Sequence, residues 1–528
     1  MKNMLLRFWN NRLSLAVAAG ILLGLSYPPF PFPFFVPAAF ILLFRIIDLS
    51  PTARSAAFYT WIGFMLWNII ATYWLMYATL IGGILAILAN SAVMTVPIAF
   101  IHYLKRHIKS VTLMTFVSAG AWTAYEYFHY RWDLAWPWLS LGNAFSMTPQ
   151  LVEFIVWTGT IGITFWIVFI SYLLYHFFIT DNKWMGWSAL ILTLIPIGIS
   201  LITFRHIDIH SKKSAQVVIV QPNYNSYLDM SGYSNPYTPL QEILRQSDSL
   251  RTDSTRLVLW PENAIQVGVD ATSPITEILR DSSKAWNTTI ISGSAFFQFY
   301  NPSKAPELTH KTGSGRPYNI YNAALAFMPD GTLRVYRKDK LVPLVERVPF
   351  VRILSKIIPF GVDWGDMQGF ARGKKATVFK IGPNEKVSAV VCYDSVFPDW
   401  NRRFVLNGAN LISVITNDGW WGYTSGYFQH FEYARLLSIE MHRYVIRSAN
   451  NGISSVIAPD GQIIKRTQYW TRTAFRHDVP LFRDQTFYVR HGDWPGRIAI
   501  VIFLLALAFS IGKQIIHRKA KASATTIK

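Results

Sequence analysis

The chain has 528 residues, 51% of them hydrophobic and only 15% charged, with 50 Lys and Arg against 30 Asp and Glu for a formal charge of +20. That length exceeds one ordinary domain, and the apolar content exceeds what a water-soluble chain of this size carries, so part of it belongs in a membrane. A single cysteine excludes an intramolecular disulfide, and a positive excess spread over loops and tail, with no basic stripe interleaved with aromatics, points to anionic lipid headgroups rather than nucleic acid.

Windows of about 20 apolar residues, the length that crosses a bilayer as a helix, fall near 12–28, 31–48, 55–78, 81–104, 111–129, 151–179 and 184–204, with an eighth near 496–512. The first has a basic lead (Lys2, Arg7, Arg12) but no small-residue cleavage site in GLSYPPFPF, and reads as an uncleaved anchor. Positive charge alternates along the connections. Arg45 and Arg54, then Lys105, Arg106 and Lys109, then Lys183, and finally Lys513, Arg518, Lys519 and Lys521 mark one side, whereas SYPPFPF and TLIGG carry no Lys or Arg. The positive-inside rule then puts both termini in the cytoplasm and residues from about 205 to 494 on the far side, the periplasm of a bacterium. Three divisions follow: a seven-helix bundle over 1–204, an extracytoplasmic domain over 205–494, and a last span with a basic tail over 495–528. Within the first, Glu126 and Glu153 stand out because carboxylates are expensive in apolar surroundings; an interfacial ion pair of Glu126 with Arg131 is an alternative to function.

From Ala215 the pattern changes to short β-rich runs: AQVVIVQ, RLVLW, TTIISGS, NAALAFM, ATVFKI, VSAVVCY, LISVIT and SSVIAPDG, with helical patterns over Pro239–Ser249 and Phe431–Met441 between them. Continuously apolar strands alternating with helices imply layered α/β packing with strands covered on both faces. MPDGTLRVYRK and APDGQIIKR each place a Pro-Asp-Gly turn between strand-like runs, a hairpin signal that rests on glycine's positive φ.

The sole cysteine, Cys392, ends one such run in SAVVCYDSVFP. A free cysteine alone packs as a small hydrophobe. Its weight here comes from two other strand ends, LVLWPENA with Glu262 and VYRKDKLVPLVERVP with Lys338, each of which alone reads as a solvated charge. Together they supply what thiol chemistry needs. A thiol of ordinary acidity is mostly protonated at neutral pH and requires a base, for which Glu262 is placed, and the oxyanion formed by attack on an acyl carbon requires a donor, for which Lys338 is placed.

These motifs, with YRKDKLVP and its following Glu346, VCYDS, TNDGWWG and QHFEYARLLSIEMHRYVIRSANNGISSVIAPDG, resemble those of the nitrilase superfamily, and their order behind seven apolar windows and before an eighth resembles its membrane-embedded apolipoprotein N-acyltransferase family. The resemblance implies an αββα sandwich carrying a Glu262–Lys338–Cys392 triad. Glu346 would orient Lys338 or assist proton transfer, against a surface ion pair with Arg347 or Arg352 as the alternative; Tyr393 and Trp420 would stand beside an acyl-enzyme pocket or simply pack; Asn417 and Asp418 would support their loop. The chain departs from the family in Asp394 where Glu is usual, in LVPLVE where a glycine is usual, and in QPNYNSYLDM, which lacks the common Gln-Gly-Asn.

The resemblance further implies transfer of an acyl chain from a phospholipid, through a thioester on the cysteine, to the α-amine of a diacylglyceryl-cysteine at a lipoprotein's N-terminus. Phospholipid donor, modified apolipoprotein acceptor and membrane lipids are the expected partners, acting on a monomer without metal or organic cofactor, since no His/Cys cluster has ligand spacing and no glycine-rich phosphate loop follows a strand. A membrane-anchored amidase with the same triad, and a non-catalytic lipid- or lipoprotein-binding protein, are the rivals.

Overall fold

The computed structural model describes residues 2–358 and 364–526, and the chain divides into two compact units: Met1–Trp132 with Trp136–Arg205 and His491–Lys528, and Asp133–Ala135 with His206–Arg490.

In the first unit each apolar window holds a helix, but the boundaries differ from the sequence pattern. The helices Arg12–Gly24, Ala53–Thr72, Leu80–Val93 and Val111–His129 begin at Asn11, Thr52, Thr79 and Ser110, whose side-chain oxygens accept the N–H groups that the first helical turn leaves unpaired. The window near 81–104 is two helices, Leu80–Val93 and Thr95–His107, meeting at Met94. The window near 151–179 becomes a long helix only at Thr160, after Gly159 at φ +67°. Gly63 lets two helices touch: a Cβ there would lie 2.7 Å from the Ala16 carbonyl oxygen. Among the described residues four helical stretches are long and apolar enough to cross a membrane, Leu80–His107, Thr160–Thr180, Lys183–His206 and Trp494–Ala520.

Glu126, suspected of function in the sequence, is a tether. Its carboxylate accepts from Trp122 Nε1 and Leu141 N at 3.0 Å, Ser140 Oγ at 2.6 Å and Thr164 Oγ1 at 2.7 Å, which joins its own helix to the following turn and to the helix Thr160–Thr180. The alternative ion pair with Arg131 is not among these contacts; Arg131 bonds Asp493 at 2.5 Å and lies 3.6 Å over the Tyr127 ring.

The second unit is an α/β domain built on two facing sheets. In chain order the strands are β1 (Ser214–Gln221), β2 (Thr255–Leu259), β3 (Thr289–Phe299), β4 (His310–Lys311), β5 (Pro317–Phe327), β6 (Leu333–Arg337), β7 (Val378–Lys380), β8 (Lys386–Ser388), β9 (Val390–Val391), β10 (Ile412–Thr416), β11 (Val445–Ala449), β12 (Ser455–Ile457), β13 (Ile463–Arg466) and β14 (Thr473–Pro480). Among the described residues the first sheet runs β14-β1-β2-β3-β5-β4 with β6 also on β5, the second β13-β12-β11-β10-β9, and β7 pairs β8 separately. The sheets meet where β1 faces β11, β3 faces β10 and β5 faces β9. The apolar faces of helices Tyr237–Asp248 and Pro274–Trp286 cover the outer side of the first sheet, packing Leu240, Ile243, Ile275 and Leu279 onto Val218, Val258 and Ile290. The helix Ser425–Met441 covers the second. The order of layers is therefore helix, sheet, sheet, helix.

Both Pro-Asp-Gly segments form the hairpins their sequence predicts, with Gly331 at φ +82° and Gly461 at φ +79°. The run VSAVVCY does not stay one strand. It breaks at Ala389 because Val378–Lys380 pairs antiparallel with Lys386–Ser388, while Val390–Val391 pairs parallel with β10. The second helix starts at Ser425 rather than Phe431, since the Thr424 hydroxyl accepts from Gly426 N and supplies a cap.

Candidate active site

Four connections emerging from strand ends, with one residue inside a strand, converge on one buried polar cluster. After β2 the chain turns through Pro261–Asn263, with Asn263 at φ +57°, and Glu262 points inward. Gly293 on β3 makes room for that turn, because a Cβ there would lie 2.5 Å from Glu262 Cα. Trp260 anchors the turn through an Nε1 bond of 2.9 Å to Ser247 Oγ. The Glu262 carboxylate accepts from Asn322 Nδ2 at 2.7 Å and from the backbone N–H of Asn417, after β10, at 3.0 Å.

Lys338 follows β6 directly. Its backbone N–H bonds the Asn322 carbonyl at 2.9 Å, and its ammonium, 1% exposed, lies 2.9 Å from Glu346 Oε1 and 3.7 Å from Glu262 Oε1. The surface ion pairs considered for Glu346 are not its contacts; besides Lys338 it accepts from Asn322 Nδ2 at 2.7 Å and Val342 N at 2.8 Å. In this loop Leu344, next to the Val345 that stands in place of the usual glycine, adopts φ +66°, a conformation that costs a residue with a Cβ about 1–2 kcal/mol.

Cys392 begins a short 3-10 turn immediately after β9 and takes φ +46°. It is partly exposed, yet its enclosure raises the thiol's pKa well above the ordinary range; the Glu262 carboxylate adds to that rise, and the Lys338 ammonium opposes it. Burial likewise raises the Glu262 carboxyl, with Lys338 opposing and Glu346 adding. Burial alone would lower the Lys338 pKa, but the carboxylates of Glu346 and Glu262 more than offset it and leave the ammonium charged. One permanent cation thus sits between two carboxylates beside a thiol.

The supporting residues fall into different places. Asn417 binds Glu262 through its backbone, and its Oδ1 accepts from Ser226 Oγ at 2.7 Å. Tyr393 is buried, its ring edge-on to Phe397 at 5.1 Å and its hydroxyl donating to the Ala135 carbonyl of the same compact unit at 2.8 Å. Trp420 is 41% exposed and meets Tyr227 edge-on at 6.2 Å, in an aromatic group with Tyr423, Tyr469 and Trp470. Asp394, one methylene shorter than the usual Glu, accepts from Tyr336 OH and from Lys340 N, both at 2.7 Å, and so ties the Cys392 turn to the Lys338 loop. Burial raises its pKa to about 7, with Lys338 opposing.

Asn322 escapes sequence reasoning. In NAALAFM it reads as a strand residue, although a polar side chain amid an apolar run was the available signal; its one amide nitrogen joins both carboxylates that flank Lys338. His430 and Arg447 also went unremarked within the longest motif. Among the described residues no cluster of His, Cys, Asp and Glu has the makings of a metal site.

The chain is similar to known proteins over both units. The model of the carbon-nitrogen hydrolase family matches residues 212–482, and that of the apolipoprotein N-acyltransferase N-terminal domain matches residues 19–173. The apolipoprotein N-acyltransferase of Chlorobaculum tepidum is 27% identical over 95% of this chain and 97% of its own, and that of Thermotoga maritima 25% identical over 96% and 95%. Among solved structures, a CN-hydrolase superfamily protein from Xanthomonas campestris is similar at 15% identity over 55% of this chain and 97% of that one, with a TM-score of 0.37. With one family model spanning just over half of the chain and curated relatives aligned nearly end to end, the chain belongs to the carbon-nitrogen hydrolase family, among the relatives of the apolipoprotein N-acyltransferases.

Proposed function

We propose that the protein is an apolipoprotein N-acyltransferase working by two acyl transfers through Cys392. In the first, Glu262 takes the thiol proton as sulfur bonds the carbonyl carbon of a phospholipid acyl ester. Lys338 holds the oxyanion, a class of interaction worth roughly 3 kcal/mol per donor. The ester C–O bond then breaks, and the departing lysophospholipid oxygen takes the proton from Glu262. In the second, the α-amine of a diacylglyceryl-cysteine attacks the thioester carbon and gives a proton to Glu262; the C–S bond breaks and the proton returns to Cys392.

The observation that carries this reading is the Lys338 ammonium held 3.7 Å from the buried Glu262 carboxylate and 2.9 Å from that of Glu346, with the charges of Glu262 and Lys338 acting on the one thiol of the chain. The names of the curated relatives support lipoprotein and phospholipid as substrates. Helices in all eight apolar windows support a membrane bundle of seven spans over 1–204 and an eighth within 495–528, and the loop charges support cytoplasmic termini with the domain over 205–494 in the periplasm, at a bacterial inner membrane. A monomer suffices, since every group in the scheme comes from one chain. Lipid as acyl donor also gives the bundle a role that a membrane-anchored amidase would not need.

The test supplies phospholipid carrying a labelled acyl chain together with a diacylglyceryl-cysteine peptide. Label in amide linkage on the peptide's α-amine supports the transferase. Label appearing only as free fatty acid, with the peptide present and unmodified, would assign the site to hydrolysis.

A further inference from the structure

Behind Cys392 lies a buried set of groups that the two transfers do not use. Arg447 Nη2 bonds Asp418 Oδ2 at 2.7 Å, with both side chains fully buried. The other oxygen of Asp418 receives His430 Nδ1 at 2.8 Å and Thr416 Oγ1 at 2.7 Å. A carboxylate only accepts, so His430 carries its proton on Nδ1 and turns Nε2 the other way. There Nε2 can only accept, so the single hydroxyl proton of Ser395 is shared between Nε2, 2.9 Å from Oγ, and the Cys392 carbonyl, 2.7 Å from it.

An unbroken line of polar contacts therefore runs from a fixed ion pair to the backbone of the nucleophile. It ends on a residue held at φ +46°, where a side chain with a Cβ stays only if its surroundings hold it. The far side of the same turn is pinned separately, by Asn401 Nδ2 donating to the carbonyls of Asp394 at 2.9 Å and Ser395 at 3.2 Å. The second arm of Asp418, through Thr416, fixes the end of β10, and the next backbone N–H is the one that binds Glu262. One buried anchor is thus tied to both groups that exchange the proton.

We infer that His430 and Ser395 are positioning residues that latch the Cys392 turn in its left-handed conformation, with the Asp418–Arg447 pair as the anchor, so that sulfur is aimed at the acyl carbon with Glu262 and Lys338 in register. The inference rests on the assignment of Cys392 as nucleophile. It gives the QHFEYAR segment a role in aiming the thiol without contact with substrate.

The experiment compares wild type with Ser395→Ala, Ser395→Thr and His430→Phe in the intact, detergent-purified protein. Two rates are read on each: acylation of Cys392 by phospholipid, followed by intact mass, and alkylation by iodoacetamide, which reports Cys392 alone because the chain has no other cysteine. Attack on a bound ester needs an aimed sulfur, whereas a small soluble reagent approaches from any open side. Ser395→Ala and His430→Phe should slow acylation about 100-fold while alkylation changes by no more than about threefold, and Ser395→Thr, which keeps the hydroxyl, should restore most of the acylation. Acylation unchanged in both Ser395→Ala and His430→Phe, or acylation and alkylation falling in parallel, would overturn the latch while leaving the nucleophile in place. Wild type that alkylates but never acylates would overturn the nucleophile assignment and the latch with it.

Discussion

Two buried carboxylates of the same domain, Glu262 and Asp418, are driven in opposite directions by their surroundings. Burial penalises the ionised form of both. Asp418 recovers that penalty through His430, Arg447 and Thr416, all within 2.8 Å, and its pKa falls below the ordinary range. Glu262 has an amide, a backbone N–H and a lysine 3.7 Å away that is closer to a competing carboxylate, and its pKa rises. Full pairing holds a buried acid in its ionised form, whereas partial pairing leaves burial to favour the protonated one. The two acids are joined through the end of β10, so the fully paired one holds the partly paired one in place.

Substitutions that exchange these characters should separate chemistry from stability. Removing the shared cation, Lys338→Met, should lower acylation by about 10²–10³-fold. Because Lys338 opposes the rise in the thiol's pKa, the midpoint of Cys392 alkylation should also move to higher pH, followed with iodoacetamide across a pH series. Should that variant unfold, or fold with its alkylation midpoint unchanged, the lysine would be a structural ion-pair partner instead.

Glu262→Gln should reduce acylation by about 10²–10⁴-fold. Its alkylation midpoint should shift the opposite way, to lower pH, since the Glu262 carboxylate raises the thiol. Little stability should be lost, because a neutral amide keeps the size of an acid that burial already disfavours in its charged form.

Asp418→Asn is expected to reverse that balance by stranding Arg447 as a buried charge, at a loss of about 3–5 kcal/mol. A fall in thermal midpoint well beyond that of Glu262→Gln, measured side by side, checks the contrast; equal falls would break it.

The last effect, read only across a pH series, belongs to Asp394. Its carboxyl sits near pH 7 in the folded protein and ionises at about 4 when unfolded, so the folded state binds more protons between these values. The stability this group contributes is full below pH 4 and is lost as pH rises through 7, with a slope on the order of 1 kcal/mol per pH unit between them. Asp394→Asn should flatten that part of the thermal-midpoint profile.

Much of the domain was legible because its strands are continuous apolar runs and its hairpins carry Pro-Asp-Gly. β14 was not, since TAFRHDVP alternates half-exposed polar residues along a sheet edge and pairs with β1 across more than 250 residues of chain. The break inside VSAVVCY was invisible for a related reason: its two halves differ only in the strand each one pairs with. At the site, motifs at strand ends pointed to Glu262, Lys338, Glu346 and Cys392, all of which lie in or beside one cluster. Asn322, which bonds both carboxylates, lies within a strand whose local pattern says only that it packs, and the line from Arg447 to Cys392 joins four segments that no local spacing connects. The membrane unit taught the reverse lesson, for Glu126 looked functional by cost alone and its four hydrogen bonds show how that cost is met.

The most direct measurement is the intact mass of the detergent-purified protein after incubation with phospholipid, for wild type and Cys392→Ala, before and after hydroxylamine and then with a diacylglyceryl-cysteine peptide. An acyl mass on wild type alone, removed by hydroxylamine and discharged to the peptide amine, is the expected result. No adduct on a folded wild-type protein whose thiol still alkylates, or an equal adduct on Cys392→Ala, would contradict catalysis through this cysteine.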